Sequence, residues 1–231
     1  MIIVHAAAAK EARTLRISLD AKATIKLGEL SRGGSSRIIT KALDHDFFKA
    51  EDKVHLQGFY LPEWGETYFF FLPCSQHLTA DAIVDCLDLL CEELGDFMDG
   101  IDKILLNLDN GPECHSRRRQ FVKRLVDFAD DWGKIVELAY YPPYHSKYNP
   151  IERVWGVLEQ HWNGTLLKDL ETVIAMAKSM TYKGLSPVVN VVKTAYHKGV
   201  TLCNKAMEAL EKRLERSKTL GKYSVVISPL G

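Results

Sequence analysis

Three acidic residues occupy positions from which carboxylates could meet: Asp20, Asp109 and Glu152. Asp20 and Asp109 each end a predicted strand, and Glu152 lies in the first turn of a predicted helix. If the two strands are neighbours in one sheet, the aspartates meet at its edge and the helix brings Glu152 in from the side. Such carboxylates suit Mg²⁺ or Mn²⁺, which prefer hard oxygen ligands and keep water for a substrate phosphate. Two such ions would stabilise both the attacking and the leaving oxygen in phosphodiester chemistry.

Each carboxylate also has a purely structural interpretation. Asp20 could start a turn, and Asp109 opens an Asp-Asn-Gly sequence, which is a hairpin-turn signal. Glu152 completes a capping arrangement in which Asn149 is the N-cap and Pro150 is the first helical residue. Spacing alone therefore leaves both interpretations open.

Basic and aromatic residues lie near these carboxylates in the sequence. A predicted helix soon after Asp109 opens with five basic residues: Arg117, Arg118, Arg119, Lys123 and Arg124. They would contact phosphates or form a solvated helix face. The loop before Glu152 is rich in tyrosine and carries Lys147, and its rings would stack on bases or pack the loop. The Asp-His-Asp sequence at 44–46 suggests a metal site, but surface polarity is the better interpretation because no second ligand cluster follows.

The elements that must position these residues can be read from periodicity. Alternating apolar residues predict strands at 14–21 and 23–30, paired as a hairpin, and further strands at 54–61 and 66–73. Thr79 is predicted to N-cap a helix at 79–94. Strands and helices then alternate, with strands predicted at 103–109 and 134–141 and helices at 116–132 and 151–162. Residues 166–216 are expected to be mainly helical, and 222–229 to be a short strand or an extended tail. This order predicts an α/β fold, a mixed sheet with helices on both faces.

Composition places the chain among ordinary globular proteins. Of 231 residues, 46% are hydrophobic, and 30 basic residues balance 30 acidic ones. A DNA-binding interpretation must explain this balance, because proteins that contact many phosphates usually carry a basic excess. The five cysteines form no Cys-x-x-Cys pair and are expected to be reduced. We find neither a signal peptide nor an apolar stretch long enough to span a membrane, and expect a cytoplasmic protein.

Several motifs resemble one known family. DNGPE at 109–113 and YPPYHSKYNPIERVW at 141–155 are similar to motifs of bacterial insertion-sequence transposases, most closely those with a Rhodopirellula-type transposase DDE domain. The PP…NPIE arrangement also resembles the third-carboxylate segment of mariner-type transposases. The resemblance extends to SLDAKATIKLGELSRGG at 18–34 and to later segments, and so covers nearly the whole chain.

The resemblance implies an RNase H-like fold with a mixed five-stranded sheet, helices on both faces and a mainly helical C-terminal extension. It implies that Asp20, Asp109 and Glu152 are the catalytic residues and that they bind two Mg²⁺ or Mn²⁺ ions. The implied reaction is DNA end cleavage followed by strand transfer. The implied partners are DNA (element ends and target) and further copies of the chain in the DNA complex. Six residues are expected to contact DNA: Arg117, Arg118, Arg119, Lys123, Lys147 and Arg153.

The expected organisation is an N-terminal remnant at 1–13, a catalytic domain at 14–165 and a helical extension at 166–231 packed on the core. Relatives are expected to carry an N-terminal helix-turn-helix region, whereas only 19 residues precede Asp20. The chain is therefore expected to be N-terminally truncated or to use an alternative start. That absent region would be the basic one. Two alternatives stay open: a catalytically silent binding or interference module, and a structure-selective nuclease of the same fold.

Overall fold

The computed structural model of the protein describes residues 13–29, 53–73, 75, 77–142, 145–200, 202–219, 221 and 223–230. The Asp-His-Asp sequence at 44–46 and nearly all of the expected N-terminal remnant lie outside these ranges. Within them, no helix is both long and apolar enough to cross a bilayer.

A single mixed sheet organises the described part of the chain, in the order β6-β3-β2-β1-β4-β5-β8-β7. Its strands are β1 (Thr14–Lys26), β2 (Lys53–Leu61), β3 (Glu66–Leu72), β4 (Lys103–Leu108), β5 (Ile135–Tyr140), β6 (Val188–Val191), β7 (Leu214–Arg216) and β8 (Ser224–Ile227). In the central five strands, β2 is antiparallel to β1 and β3, while β4 is parallel to β1 and β5. This is the RNase H-like arrangement, so the expected fold class is confirmed.

Helices cover both faces of this sheet. They are α1 (Ala80–Leu94), α2 (Arg119–Trp132), α3 (Ile151–Trp162), α4 (Leu170–Ser179) and α5 (Asn204–Glu211). One apolar core lies under α1 and α2, and a second lies under α3 and α4. The Thr79 side chain accepts a hydrogen bond from the Ala82 amide, which confirms the predicted cap of α1.

The central strands have the sequence that burial on both faces requires. Ile104, Leu105, Leu106 and Leu108 of β4 have no exposed surface. A parallel strand covered by helices on both sides reads as a continuous apolar run rather than as an alternation. This pattern is why β4 could be predicted as a central strand, and Asp109 follows its last residue directly.

The predicted hairpin at 14–30 is wrong, because β1 is one continuous strand. The residues between its two halves include none of the Asn-Gly or Gly-X pairs that two-residue hairpin turns favour. Instead the pairing of β1 with β2 shifts register between Lys22 and Ile25. Such a bulge changes the face to which later side chains point. Leu19 accordingly lies in the α1 core, whereas Ile25 lies in the α3 core.

The expected five-stranded sheet also needs correction, since the described sheet has eight strands. The C-terminal segment adds β6 beside β3 and adds β8 and β7 beside β5. It therefore contains two helices and three short strands rather than being mainly helical. Strands of three or four residues at a sheet edge give little periodic signal, which is why β6 and β7 could not be predicted.

An arginine on α2 ties the two helices of the first core together. The Arg124 guanidinium lies 2.7 Å from Asp85, and 3.6 Å from both Asp81 and Asp88. These aspartates are spaced four and three residues apart on α1, so they share one helix face. One partly buried cation therefore lies among three carboxylates between the helices.

We expect Arg124→Met to lower the free energy of unfolding by about 1–3 kcal/mol. The substitution removes a charge-assisted hydrogen bond and leaves three neighbouring carboxylates without their cation. Urea denaturation measures the change. Lys123→Met is the matched control on the same helix. Lys123 pairs with Asp127, and both side chains are about two-fifths exposed. The control should change stability by less than about 0.5 kcal/mol, and equal losses in both variants would contradict the prediction.

Candidate active site

Asp20 lies within β1, at the level where β4 ends. The parallel pairing of β1 with β4 reaches Ser18 opposite Asn107, so two further residues place Asp20 level with Asp109. On its other side Asp20 pairs with Gly58 of β2. Asp20 thus lies in a continuous strand, which overturns the alternative that it starts a turn.

The structure places the three predicted carboxylates within electrostatic range of one another. Glu152 enters from the first turn of α3 and, with Asp109, raises the pKa of Asp20. Burial contributes more to this shift than either carboxylate does. Together these influences raise the pKa of Asp20 to about 7, although a hydrogen bond from Trp155 opposes them. Burial, and then Glu152, also raises the pKa of Asp109. The chain after Asp109 leads through turns into α2, so the Asp-Asn-Gly sequence is not a hairpin turn.

A buried polar junction fixes α3 against β1. The Ser18 hydroxyl donates to Asn149 Oδ1 at 2.5 Å, and Asn149 Nδ2 donates to the Leu19 carbonyl at 3.0 Å. The Ile151 amide donates to Ser18 Oγ at 3.0 Å. The predicted N-cap role of Asn149 is therefore wrong, because Ser18 accepts from the helix terminus while Asn149 binds the strand. Asn149 also hydrogen-bonds the Asp109 carboxylate, which lowers the pKa of that group.

Trp155 connects the same helix to Asp20. Its indole Nε1 donates to Asp20 Oδ2 at 3.0 Å. The ring stacks on Phe69 with 5.3 Å between centroids. A Cβ atom added to Gly58 would lie 2.3 Å from the ring, so only glycine leaves room for the indole. The close approach of Gly58 thus sets the orientation of the donor to Asp20.

The donor set fits a hard divalent cation. The three carboxylates supply only oxygen, the ligand that Mg²⁺ and Mn²⁺ prefer. Asp109 Oδ1 is buried with no hydrogen-bond partner among the described residues. Across those residues, however, no three His, Cys, Asp or Glu side chains form a compact cation site. The carboxylates therefore lie within electrostatic range of one another without forming a closed cage.

The predicted DNA contacts fall into two groups. Four lie at or near the start of α2, where two have acidic partners: Arg118 pairs with Glu113, and Lys123 with Asp127. Arg119 is exposed and donates to the Leu202 carbonyl at 3.1 Å, and Arg117 is exposed beside His115.

Lys147 and Arg153 form the second group, which flanks Glu152 in sequence. Lys147 is exposed and lies 5.3 Å from the centre of the Tyr148 ring. Arg153 follows Glu152 directly and is exposed on α3. The DNA-contact roles of all six residues stay predictions.

Sequence reasoning did not assign site roles to Ser18, Gly58 or Trp155, and it assigned the wrong one to Asn149. Trp155 had a usable signal, because it lies three residues after Glu152 and so on the same helix face. Ser18 and Gly58 had none, since their roles depend on strand register and on a helix distant in sequence.

We expect Asn149→Ala to lower the free energy of unfolding by about 1–3 kcal/mol, because it leaves the buried Ser18 hydroxyl and Leu19 carbonyl short of partners. Asn163→Ala, at the other end of α3, is the matched control and should change stability by no more than about 0.5 kcal/mol. Urea denaturation compares the two. A loss no larger than that of the control would show that the junction does not hold the helix.

Gly58→Ala should also destabilise the protein, by about 1–3 kcal/mol, because the new methyl group displaces the Trp155 ring. Gly156→Ala on α3 is its control. Nothing lies within 4 Å of a Cβ atom at Gly156. Alanine in a helix interior should stabilise the protein there by up to about 1 kcal/mol. We expect the midpoint temperature of thermal unfolding to fall in Gly58→Ala and to rise in Gly156→Ala. An unchanged midpoint in Gly58→Ala would contradict the close contact between Gly58 and the Trp155 ring.

No curated protein sequence matches the chain. A solved structure, the Mos1 transposase paired-end complex with left transposon end, aligns with a TM-score of 0.49 at 14% sequence identity. The alignment covers 74% of this chain and 49% of that one, so the chain spans about half the length of that protein. The profile of the Rhodopirellula transposase DDE domain family matches residues 2–229, and the protein therefore belongs to that family.

Proposed function

We propose that the protein catalyses metal-dependent DNA end cleavage and strand transfer, the transposition chemistry of an insertion sequence. The observation that carries this proposal is that Asp20, Asp109 and Glu152, on two strands and a helix, lie within electrostatic range of one another. No lysine or arginine is among the main influences on the pKa of Asp20 or Asp109. Like charges close to one another serve stability poorly, and they suit a site that receives a divalent ion.

In this proposal Asp20 and Asp109 would hold the metal ions, and Glu152 would complete the site. When bound, two Mg²⁺ or Mn²⁺ ions would supply an activated nucleophile and stabilise the attacking and leaving oxygens. Asn149 keeps α3, and with it Glu152, against β1. Trp155 holds the Asp20 carboxylate in one orientation through its Nε1–H. The chain thus contributes alignment and charge placement, and no side chain need act as the nucleophile.

The proposed partners are element ends and target DNA, with further copies of the chain in the DNA complex. Lys147 and Arg153 flank Glu152 in sequence, and the arginines near the start of α2 follow the Asp109 loop. Contacts from these residues to phosphates would make binding weaken with increasing salt. The proposed compartment is the cytoplasm, which suits the free thiols of Cys86, Cys91, Cys114 and Cys203.

We expect Asp109→Asn and Glu152→Gln each to reduce metal-dependent nicking and joining of DNA more than about a hundredfold. Loss of even a hydrogen-bond partner of a metal ligand typically lowers metal affinity or activity about 10–100-fold. The measurement uses pre-cleaved ends of a neighbouring element with Mg²⁺ or Mn²⁺, and separates nicked from joined products on a denaturing gel.

Asp131→Asn and Glu171→Gln make the same chemical changes at exposed sites and serve as controls that should retain activity. Products that persist in the Asp109→Asn variant would show that the carboxylates are not required for the reaction. Nicking without joined products would favour the structure-selective nuclease instead.

A further inference from the structure

The Asp109 loop, residues 109–118, joins β4 to α2 and carries one of the three carboxylates at its start. It consists of turns and contains no helix or strand. Within it, the Cys114 amide donates to the Gly111 carbonyl at 3.3 Å, and the Cys114 thiol donates to the Asp109 carbonyl at 3.4 Å. The carbonyl groups of Cys114 and Ser116 find their donors in other elements of the fold.

Tyr140, the last residue of β5, holds the first of these carbonyl groups. Its hydroxyl donates to the Cys114 carbonyl at 2.6 Å, and its side chain has no exposed surface. Burial raises the pKa of this hydroxyl well above its ordinary value, so the group stays protonated and able to donate. The Tyr140 amide donates to the Tyr223 carbonyl at 2.8 Å, directly before β8. Tyr140 therefore joins the Asp109 loop to the C-terminal edge of the sheet.

Arg216 of β7 holds the second carbonyl group. Its guanidinium donates to the Ser116 carbonyl at 3.0 Å and to the two carboxylate oxygens of Glu211 at 2.9 and 3.1 Å. A guanidinium can make these contacts at once because its donors form a rigid planar fork. Arg216 also lies within electrostatic range of Tyr140, so the two donors approach the loop from the same side.

We propose that Tyr140 and Arg216 are positioning residues for Asp109, and that β7 and β8 thereby form part of the metal site. Each acts through a carbonyl group of the Asp109 loop and not by binding the ion. Loss of either donor would let the loop rearrange, so Asp109 would lie less often within range of Asp20 and Glu152. A divalent ion would then bind more weakly. The proposal rests on the proposed function for the binding of a metal at these carboxylates.

Arg213 distinguishes positioning of Asp109 from simple attachment of the sheet edge. Its guanidinium donates to both carboxylate oxygens of Asp130 at 2.6 Å and to the Ser228 carbonyl at 2.8 Å. The Arg213 and Arg216 side chains are similarly buried, with 22% and 25% of their surface exposed. Both arginines fasten the C-terminal segment to the fold, but Arg213 does so on α2, whereas Arg216 does so at the Asp109 loop.

The test measures Mn²⁺ binding by the full chain without DNA, using the electron paramagnetic resonance signal of free Mn²⁺. It compares the wild type with Tyr140→Phe, Arg216→Gln and the matched control Arg213→Gln. Asp109→Asn identifies which part of the binding occurs at the carboxylates. Urea denaturation gives the free energy of unfolding of each variant and verifies that each one folds.

We expect Tyr140→Phe and Arg216→Gln each to weaken Asp109-dependent Mn²⁺ binding about three- to tenfold, less than the loss of a direct partner of a metal ligand. Arg213→Gln should stay within about twofold of the wild type, even if it lowers stability as much, because its contacts lie away from the loop. Removal of the Arg216 charge alone would instead favour binding of a cation. An unchanged affinity in Tyr140→Phe, tighter binding in Arg216→Gln, or an equal loss in Arg213→Gln would overturn the proposal.

Nicking of DNA in Mg²⁺ separates this proposal from the proposed function. Nicking by the wild type together with unchanged Mn²⁺ affinities in the variants overturns the positioning roles alone. A loss of affinity confined to Tyr140→Phe and Arg216→Gln, without nicking by the wild type, supports the positioning roles and overturns the strand-transfer function. If the wild type shows no Asp109-dependent Mn²⁺ binding, the positioning roles are overturned whether or not it nicks DNA.

Discussion

The buried junction between Ser18 and Asn149 is the contact on which the arrangement of the site depends. The two side chains are 131 residues apart in sequence, and neither has exposed surface. Burial of polar groups is costly unless each finds a partner, and here the hydroxyl, the carboxamide and the Ile151 amide satisfy one another. Apolar packing alone would allow α3 to slide on the sheet, whereas hydrogen bonds of fixed length set its position. Because their helix starts at this junction, Trp155 contacts Asp20 and Glu152 lies within electrostatic range of it.

The carboxylates themselves oppose folding. Burial raises the pKa of Asp20 from its ordinary 3.8 to about 7, with further contributions from Glu152 and Asp109. A group whose pKa rises on folding binds its proton more tightly in the folded state, so stability falls as pH rises between those two values. Above pH 7 that cost is fully present. Bound divalent cations would offset it, and the junction and both cores must otherwise supply the compensating stability.

The sequence predicted the elements whose signals are local. The apolar run of β4, the stripe of α1 and its Thr79 cap needed no tertiary information. The three carboxylates had structural alternatives of their own, and resemblance to a family singled them out. Features that depend on distant partners could not be predicted. The alternation after Asp20 predicts a hairpin, because a bulge leaves the alternation of residue types intact while changing the face to which the side chains point. The sequence around Asn149 favours this residue as the N-cap of α3, yet Ser18 from β1 takes that role.

The zero net charge of the chain conceals a separation of charge within the fold. Arginines away from the carboxylates are neutralised in place: Arg124 by aspartates of α1, Arg213 by Asp130 and Arg216 by Glu211. In the part of the chain that the structure describes, Lys53, Lys147, Arg153 and Lys198 make no ion pair. Salt screens charges beyond about 8–10 Å, so a DNA strand responds to nearby side chains rather than to the sum over the chain. The proposed DNA binding is therefore compatible with the balanced composition, and it needs no basic region elsewhere to explain it.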